Sequence, residues 1–224
     1  MPRRGRKKRR GRILVAAGTN GAGKSIIVGE FLAGARAEYF NPDLFAQKLI
    51  AAGRSPEEAN ALAWRFGYEA LQTAIARDQD FSFETTLGGT SIARELHRAI
   101  DAGLDVVVWY VGLASAEQHI ARVQARVARG GHGIPAAKIR ERYPRSLANL
   151  VSLIGRAREV HVFDNSEDTS TGAPAAKLVI RLRGSQIVEP DVPTLLERTP
   201  DWAKPVVAAA ISRAAPPAKR RRKK

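Results

Sequence analysis

The chain of 224 residues has no cysteine, which rules out a disulfide framework and any thiolate metal site and is the usage expected of a cytoplasmic protein. No apolar run approaches the ~20 residues that a membrane-spanning helix needs, so no membrane partner is expected. The basic N-terminus resembles the start of a signal peptide. The apolar run behind it covers only Ile13 to Ala17, shorter than the ~7 residues of the shortest usual hydrophobic region, so no cleaved leader is expected. Acidic residues are also missing where the charge is densest. Residues 3 to 12 and 219 to 224 carry eight and six positive charges with no acid among them. Of the net +15, only +1 therefore belongs to residues 13 to 218. The chain is expected to be one α/β domain, 13–213, between two basic tails, 1–12 and 214–224. Such like-charge blocks repel themselves and remain unfolded; they can hold nucleic acid electrostatically or simply solubilise.

The organising stretch is Gly18-Thr19-Asn20-Gly21-Ala22-Gly23-Lys24-Ser25. It fits G-x-x-x-x-G-K-[ST], the phosphate-binding P-loop pattern. The apolar run Ile13 to Ala17 before it suits a buried strand, and Ile26 onward can continue as a helix. Backbone N–H groups of such a loop and the helix N-terminus point at the anion, so Gly18 to Ile26 are the expected nucleotide-binding residues. Lys24 would reach the β- and γ-phosphates of ATP or GTP, and the Ser25 hydroxyl would hold Mg²⁺.

Short apolar runs alternate with helical periodicity along the rest of the chain. Strands are expected at 37–40, 81–83, 106–111 and 160–163, with an antiparallel hairpin over 178–188 turned at Gly184-Ser185. Ser55-Pro56-Glu57-Glu58 reads as a capping box that starts a helix through Ala59, Leu62, Phe66, Ala70 and Leu71 to about Arg77. Further helices are expected from Leu44 to Ile50, from Ser91 to Ala102 with Gly103 as C-terminal glycine, from Ser115 to about Arg129, from Ala136 to about Ala157 with a kink at Pro144, and a last short one from Pro193. This alternation predicts a three-layer α/β/α P-loop fold with a mostly parallel sheet.

In such sheets ligands bind beyond the carboxyl ends of the strands. Asp43, Glu84 and Asp164 stand at such ends. Phosphoryl transfer to a hydroxyl needs a carboxylate near that hydroxyl's proton, and Asp43 is the first choice for this base. An acid there also complements the dipole of the helix begun by Pro42. Glu84 either orients the acceptor or holds Mg²⁺, directly or through water, with the Thr85 and Thr86 hydroxyls offered to the same ligand. Asp164-Asn165-Ser166 reads more as turn residues than as a site. Arg122, Arg126, Arg129, Arg140, Arg142 and Arg145 flank Gly130-Gly131-His132-Gly133, so residues 122–146 have the makings of a lid whose guanidinium groups meet the transferring phosphate. His132 reads as a loop residue, not a metal ligand.

The P-loop, Asn41-Pro42-Asp43, Phe83-Glu84-Thr85-Thr86-Leu87, Tyr110-Val111-Gly112-Leu113, Arg122-Val123, Arg126-Val127, Gly130-Gly131-His132-Gly133-Ile134-Pro135 and Arg142-Tyr143-Pro144-Arg145-Ser146 together resemble the zeta-toxin-like P-loop kinase family, in particular its compact bacterial branch of predicted ATPases. The resemblance covers roughly residues 13 to 166. It implies ATP- or GTP-dependent phosphorylation of a small molecule, which in zeta toxins proper is UDP-N-acetylglucosamine at its sugar 3′-hydroxyl. It further implies Asp43 as base, Glu84 at the substrate, and Lys24 with the lid arginines Arg126 and Arg142 on the transferring phosphate. An antitoxin is the protein partner it implies, though no antitoxin segment is expected in this chain, and the longer N-terminal portion of zeta toxins proper has no counterpart.

Two other readings stay open from the residues alone. One is a polynucleotide kinase whose tails hold its substrate. The other is a P-loop binding or ATPase module tethered to nucleic acid. A motor-type ATPase is disfavoured because the long apolar strand ends in Tyr110-Val111-Gly112 and not in a Mg²⁺-holding aspartate.

Overall fold

The computed structural model describes residues 10–25, 39–131, 133–167 and 176–214. The basic tails, Ile26 with the rest of the P-loop helix, Ala37-Glu38 and His132 lie outside the described residues.

Six strands form one sheet in the order β2-β1-β3-β4-β5-β6. These are β1 Arg12–Ala17, β2 Phe81–Thr85, β3 Asp105–Gly112, β4 Glu159–Asp164, β5 Lys177–Arg183 and β6 Gln186–Glu189. The first four run parallel, whereas β5 and β6 pair antiparallel at the edge. In the central strands β1 and β3, Ile13, Val15, Val106 and Val108 are wholly inaccessible, as strands covered by helices on both faces must be. The 37–40 stretch contributes only an isolated parallel bridge, Phe40 to Phe83, among its described residues.

The helices are α1 Pro42–Ala51, α2 Pro56–Arg77, α3 Thr90–Asp101, α4 Ala116–Ala128, α5 Ala136–Leu153, α6 Val192–Arg198 and α7 Lys204–Arg213, with a 3₁₀ turn at Asp201–Ala203. Their starts follow the side chains at hand. Asn41 Oδ1 accepts from the N–H groups of Asp43 and Leu44. Ser55 and Glu58 form the reciprocal capping box, which leaves two fewer amides unsatisfied. The chain does not end its helices at α6. Trp202 and α7 add a layer against the core, with Trp202, Val206 and Val207 buried.

The buried stripe of α2 is Ala59, Ala63, Gly67, Leu71 and Ala74, while Leu62 and Phe66 are exposed. The helix expected through Ala59, Leu62, Phe66, Ala70 and Leu71 to about Arg77 is present, and of these Leu62 and Phe66 lie on its exposed side. Small residues face inward because α2 lies tight against its neighbours: a Cβ on Gly67 would stand 2.5 Å from the Phe40 ring. Helix α5 ends at Leu153, four residues before the expected Ala157.

The sheet explains the position of the phosphate loop. β1 has β2 on one side and β3 on the other, so the chain leaves the two flanks of β1 in opposite directions and opens a crevice beyond its carboxyl end. Gly18 turns out of β1 with φ +141°, and a Cβ there would stand 2.2 Å from the Val111 carbonyl oxygen of β3. Only glycine combines that dihedral with that approach.

Candidate active site at the carboxyl ends of the strands

The loop after β1 is held from behind by side chains of later elements. His119 of α4 is 1% exposed and its Nδ1 lies 2.9 Å from the Asn20 carbonyl oxygen. Burial pushes the imidazole down to about 4, with the Asn20 contact opposing this, so near neutral pH the ring is uncharged and Nδ1–H donates. Asn165 Nδ2 donates to the Ala22 carbonyl at 2.8 Å, and Arg122 Nη2 donates to the Asn165 and Glu167 carbonyls at 2.6 and 3.0 Å. Arg142 Nη1 donates to Asn20 Oδ1 at 2.9 Å. Four residues from three elements thus fix the loop whose amides would meet phosphate. The Thr19 hydroxyl is buried with no hydrogen-bond partner among the described residues.

At the end of β2, Glu84 joins the loop to the space beyond it. Its Oε2 accepts from Ser25 Oγ at 2.9 Å, Asn41 Nδ2 at 2.9 Å and Tyr39 OH at 3.1 Å. Its Oε1 stands 3.3 Å from Lys24 Nζ. Burial, reinforced by the Glu84 charge and hydrogen bond, holds the Tyr39 hydroxyl far above its usual range, so the phenol is a fixed donor.

Magnesium can be tested against this geometry. Two neighbouring oxygen ligands of an octahedral Mg²⁺ at ~2.05 Å are about 2.9 Å apart. Ser25 Oγ and Glu84 Oε2 are that far apart because the hydroxyl donates to the carboxylate; both are the hard oxygen donors the ion requires, and the ion would replace that hydrogen bond. The residues present fit the group.

A cleft of about 570 Å³ opens next to this cluster. Asp43, Glu84, Thr85 and Thr86 line it on the strand side, and Lys138, Arg142 and Arg145 line it from α5. Thr85 Oγ1 and Thr86 Oγ1 accept from the N–H groups of Leu87 and Gly88 at 3.0 and 3.4 Å. Each hydroxyl keeps its own proton to donate. Leu87, which follows them, is buried at φ +51°, a left-handed conformation that costs a branched residue energy and marks a constrained loop.

The structure thus brings Glu84, Asp43 and Arg142 around one opening, to which Lys24 and Ser25 are joined through Glu84. Arg126 does not line the cleft; a Cβ on Gly131 would stand 2.6 Å from its Cγ, so its stem crosses that glycine. Among the other lid arginines, Arg129 turns back to the Ala125 carbonyl and Arg140 pairs with Glu117 at the surface. Asp164 ends β4 and holds the turn after it: its Oδ1 accepts from Ser166 N–H and Oγ and from Trp202 Nε1.

The pair α4 and α5 is built in two halves. Ile120, Val123 and Ile139 form a separate small core with Ile134 and Ala136, whereas Leu150 and Leu153 belong to the main core. Between them Tyr143 OH donates to the Leu113 and Ala114 carbonyls, and Ser146 Oγ donates to the Thr86 carbonyl at 2.7 Å.

Sequence reasoning missed His119 and the Tyr39 contribution and discounted Asn165. His119 lies amid a polar helix, and nothing in its spacing signals that its ring turns inward to the loop. Asn165 follows a strand at the correct end, which is a positional signal. Its side chain reaches a loop more than a hundred residues earlier in the chain, which no local pattern reveals.

No protein-family profile matches the chain. An uncharacterized protein of Haemophilus influenzae (strain ATCC 51907 / DSM 11121 / KW20 / Rd) is 32% identical over 126 residues, which is 56% of this chain and 88% of that protein. Among solved structures, one of the PezAT chromosomal toxin-antitoxin system of Streptococcus pneumoniae superposes with TM-score 0.55 at 14% identity, over 94% of this chain and 88% of the other. The AvrRxo1-ORF1:-ORF2 complex with ATP superposes with TM-score 0.52 at 16% identity, over 93% and 78%. At such identities these likenesses concern the fold alone, a mostly parallel α/β sheet with a phosphate loop after its first strand.

Proposed function

Because the chain belongs to the same family as the uncharacterized Haemophilus influenzae protein and has a P-loop fold, we propose that it is an ATP-dependent kinase transferring the γ-phosphate to a hydroxyl of a nucleotide sugar such as UDP-N-acetylglucosamine. The observation that carries this reading is Glu84. One carboxylate touches both the lysine and the serine of the phosphate loop and also lines the cleft that holds Asp43. Donor and acceptor sites therefore share a wall, as direct transfer between them requires.

In this mechanism the acceptor hydroxyl oxygen attacks the γ-phosphorus and its proton passes to the Asp43 carboxylate. The bond from phosphorus to the β–γ bridging oxygen breaks and ADP leaves. Lys24 and Arg142 stabilise charge on the transferring group. Ser25 and Glu84 would hold Mg²⁺, which supplies further neutralisation of the phosphates. Thr85 and Thr86 donate to the acceptor. An antitoxin-like protein partner is part of the proposal, supported by the fold shared with the PezAT system.

The test is incubation with ATP and Mg²⁺ and a panel of nucleotide sugars, nucleosides and RNA ends, followed by mass spectrometry. A nucleotide sugar heavier by one phosphate is expected. With Asp43→Asn, kcat should fall by about 10²- to 10⁴-fold while ATP affinity stays within about twofold. Release of inorganic phosphate with no phosphorylated product would overturn the kinase reading in favour of a plain ATPase.

A further inference from the structure

Helix α2 carries a second feature of the same cleft. Trp64 and Tyr68, one turn apart, stack with ring centroids 5.0 Å apart and planes 10° from parallel, and both line the opening that contains Asp43 and Glu84. Tyr68 is not free to turn. Its hydroxyl donates to Glu95 Oε1 at 3.1 Å. Glu95 is 4% exposed and is held in turn by Gln72 and Arg98. Trp64 lies on this fixed ring and remains 53% exposed. A large indole left half in water on a pinned support is an unsatisfied π-face whose ordering cost has already been met by the fold. Across the cleft stand Lys138, Arg142 and Arg145. Arg145 is partly neutralised by Glu141, so the opposing wall keeps a net positive charge.

We infer that Trp64, supported by Tyr68, is the acceptor-binding platform on which a nucleobase stacks while Lys138 and Arg145 of α5 take that acceptor's phosphates. The inference rests on the kinase reading and deepens it, because it makes the base, and not the sugar, the larger source of acceptor affinity. One aromatic wall facing one cationic wall suits a ligand with a planar base at one end and phosphates beyond it. A free sugar or sugar phosphate lacks the first of these. Tyr68 acts through Trp64, as a positioning residue.

The test is calorimetric binding of UDP-N-acetylglucosamine and of N-acetylglucosamine 1-phosphate to the full chain. Saturating non-hydrolysable ATP analogue and Mg²⁺ are included to fill the phosphate loop. The base-bearing probe should bind at least about tenfold more tightly, since a stacked base contributes about 1–3 kcal/mol. Trp64→Ala should erase that difference while leaving the sugar phosphate within about twofold, and Trp64→Phe should restore most of it. Tyr68→Phe keeps the ring but loses Glu95, and should weaken only the base-bearing probe. In turnover, Trp64→Ala should raise KM for the acceptor about tenfold with kcat and KM for ATP nearly unchanged. Equal binding of the two probes by the wild type, binding of neither, or base-dependent binding that survives Trp64→Ala each overturns the platform. Base-dependent binding that is lost in Trp64→Ala, in a protein that transfers no phosphate, upholds the platform and removes the kinase reading alone.

Discussion

Lys24 Nζ and Glu84 Oε1 face each other at 3.3 Å, with side chains only 6% and 10% exposed, yet the two have unequal reserves. If Lys24 is removed, Glu84 keeps three donors in Ser25, Tyr39 and Asn41. If the Glu84 charge is removed, the remaining contact of Lys24 in the cluster is the Thr19 carbonyl at 3.5 Å. A buried cation without its counter-charge is costly, whereas a carboxylate with several donors is not. Urea denaturation should therefore show Glu84→Gln destabilised by about 3 kcal/mol and Lys24→Met by about 1 kcal/mol or less. The reverse order would mean that the pair matters to the fold through Lys24. Both variants should lose phosphoryl transfer.

Asn165 offers a cleaner separation of binding from folding. Its amide supports the Ala22 carbonyl at 2.8 Å, and a Cβ on Gly23 would come within 2.6 Å of its Nδ2. Asn165→Ala leaves space behind the phosphate loop and one buried carbonyl without its donor. ATP affinity should fall about tenfold, corresponding to about 1.4 kcal/mol. The acceptor KM should stay within about twofold. Equal losses for both substrates would show that the residue supports the whole cleft, not the loop.

The fold was legible from the sequence because its signals are local. The P-loop pattern, the capping box at Ser55, the apolar run before Tyr110 and the glycine after α3 each arise within a few residues, and each element they predict among the described residues is present. What the periodicity of α2 leaves open is its inward face: Leu62 and Phe66 are exposed, and close packing over Phe40 turns the alanines and Gly67 inward together with Leu71. The candidate site was legible to the same degree. Glu84 lies at the end of β2 and Lys24 and Ser25 on the loop after β1, places that topology alone designates, while Asp43 follows the isolated bridge at Phe40. The backing of the loop by His119 and Asn165, and the stacked pair on α2, depend on side chains meeting across the fold.

Gly112, at the end of β3, tests how the C-terminal layer is joined to the sheet. A Cβ there would stand 2.3 Å from the Trp202 ring, and Trp202 is held in place by its Nε1 bond to Asp164 at 3.0 Å. The ring cannot swing away without losing that bond, so Gly112→Ala should destabilise the protein by about 1–3 kcal/mol by overpacking. Gly112→Ala combined with Trp202→Leu should cost less than the sum of the two single changes, since the smaller side chain relieves the clash. Additive losses in urea denaturation would disprove the contact.

His119 predicts how stability responds to acid. Its pKa in the folded protein is lowered to about 4 by burial, against about 6.5 when unfolded. Above about pH 6.5 both states are neutral at this site and its contribution is fully present. As the pH falls from about 6.5 towards about 4 the unfolded chain takes up a proton that the folded chain refuses, so stability declines by about 3 kcal/mol at most. His97 and His161 are shifted in the same direction, so the slope of stability with pH does not isolate His119 by itself. His119→Asn does, because an asparagine amide can donate to the Asn20 carbonyl from nearly the Nδ1 position and does not titrate. Urea denaturation between pH 7.5 and 4.5 should show a shallower decline for this variant than for the wild type, with the two slopes becoming equal only below about pH 4. Identical slopes would mean that the buried imidazole takes its proton with the fold intact, and that its bond to the phosphate loop is not what holds it neutral.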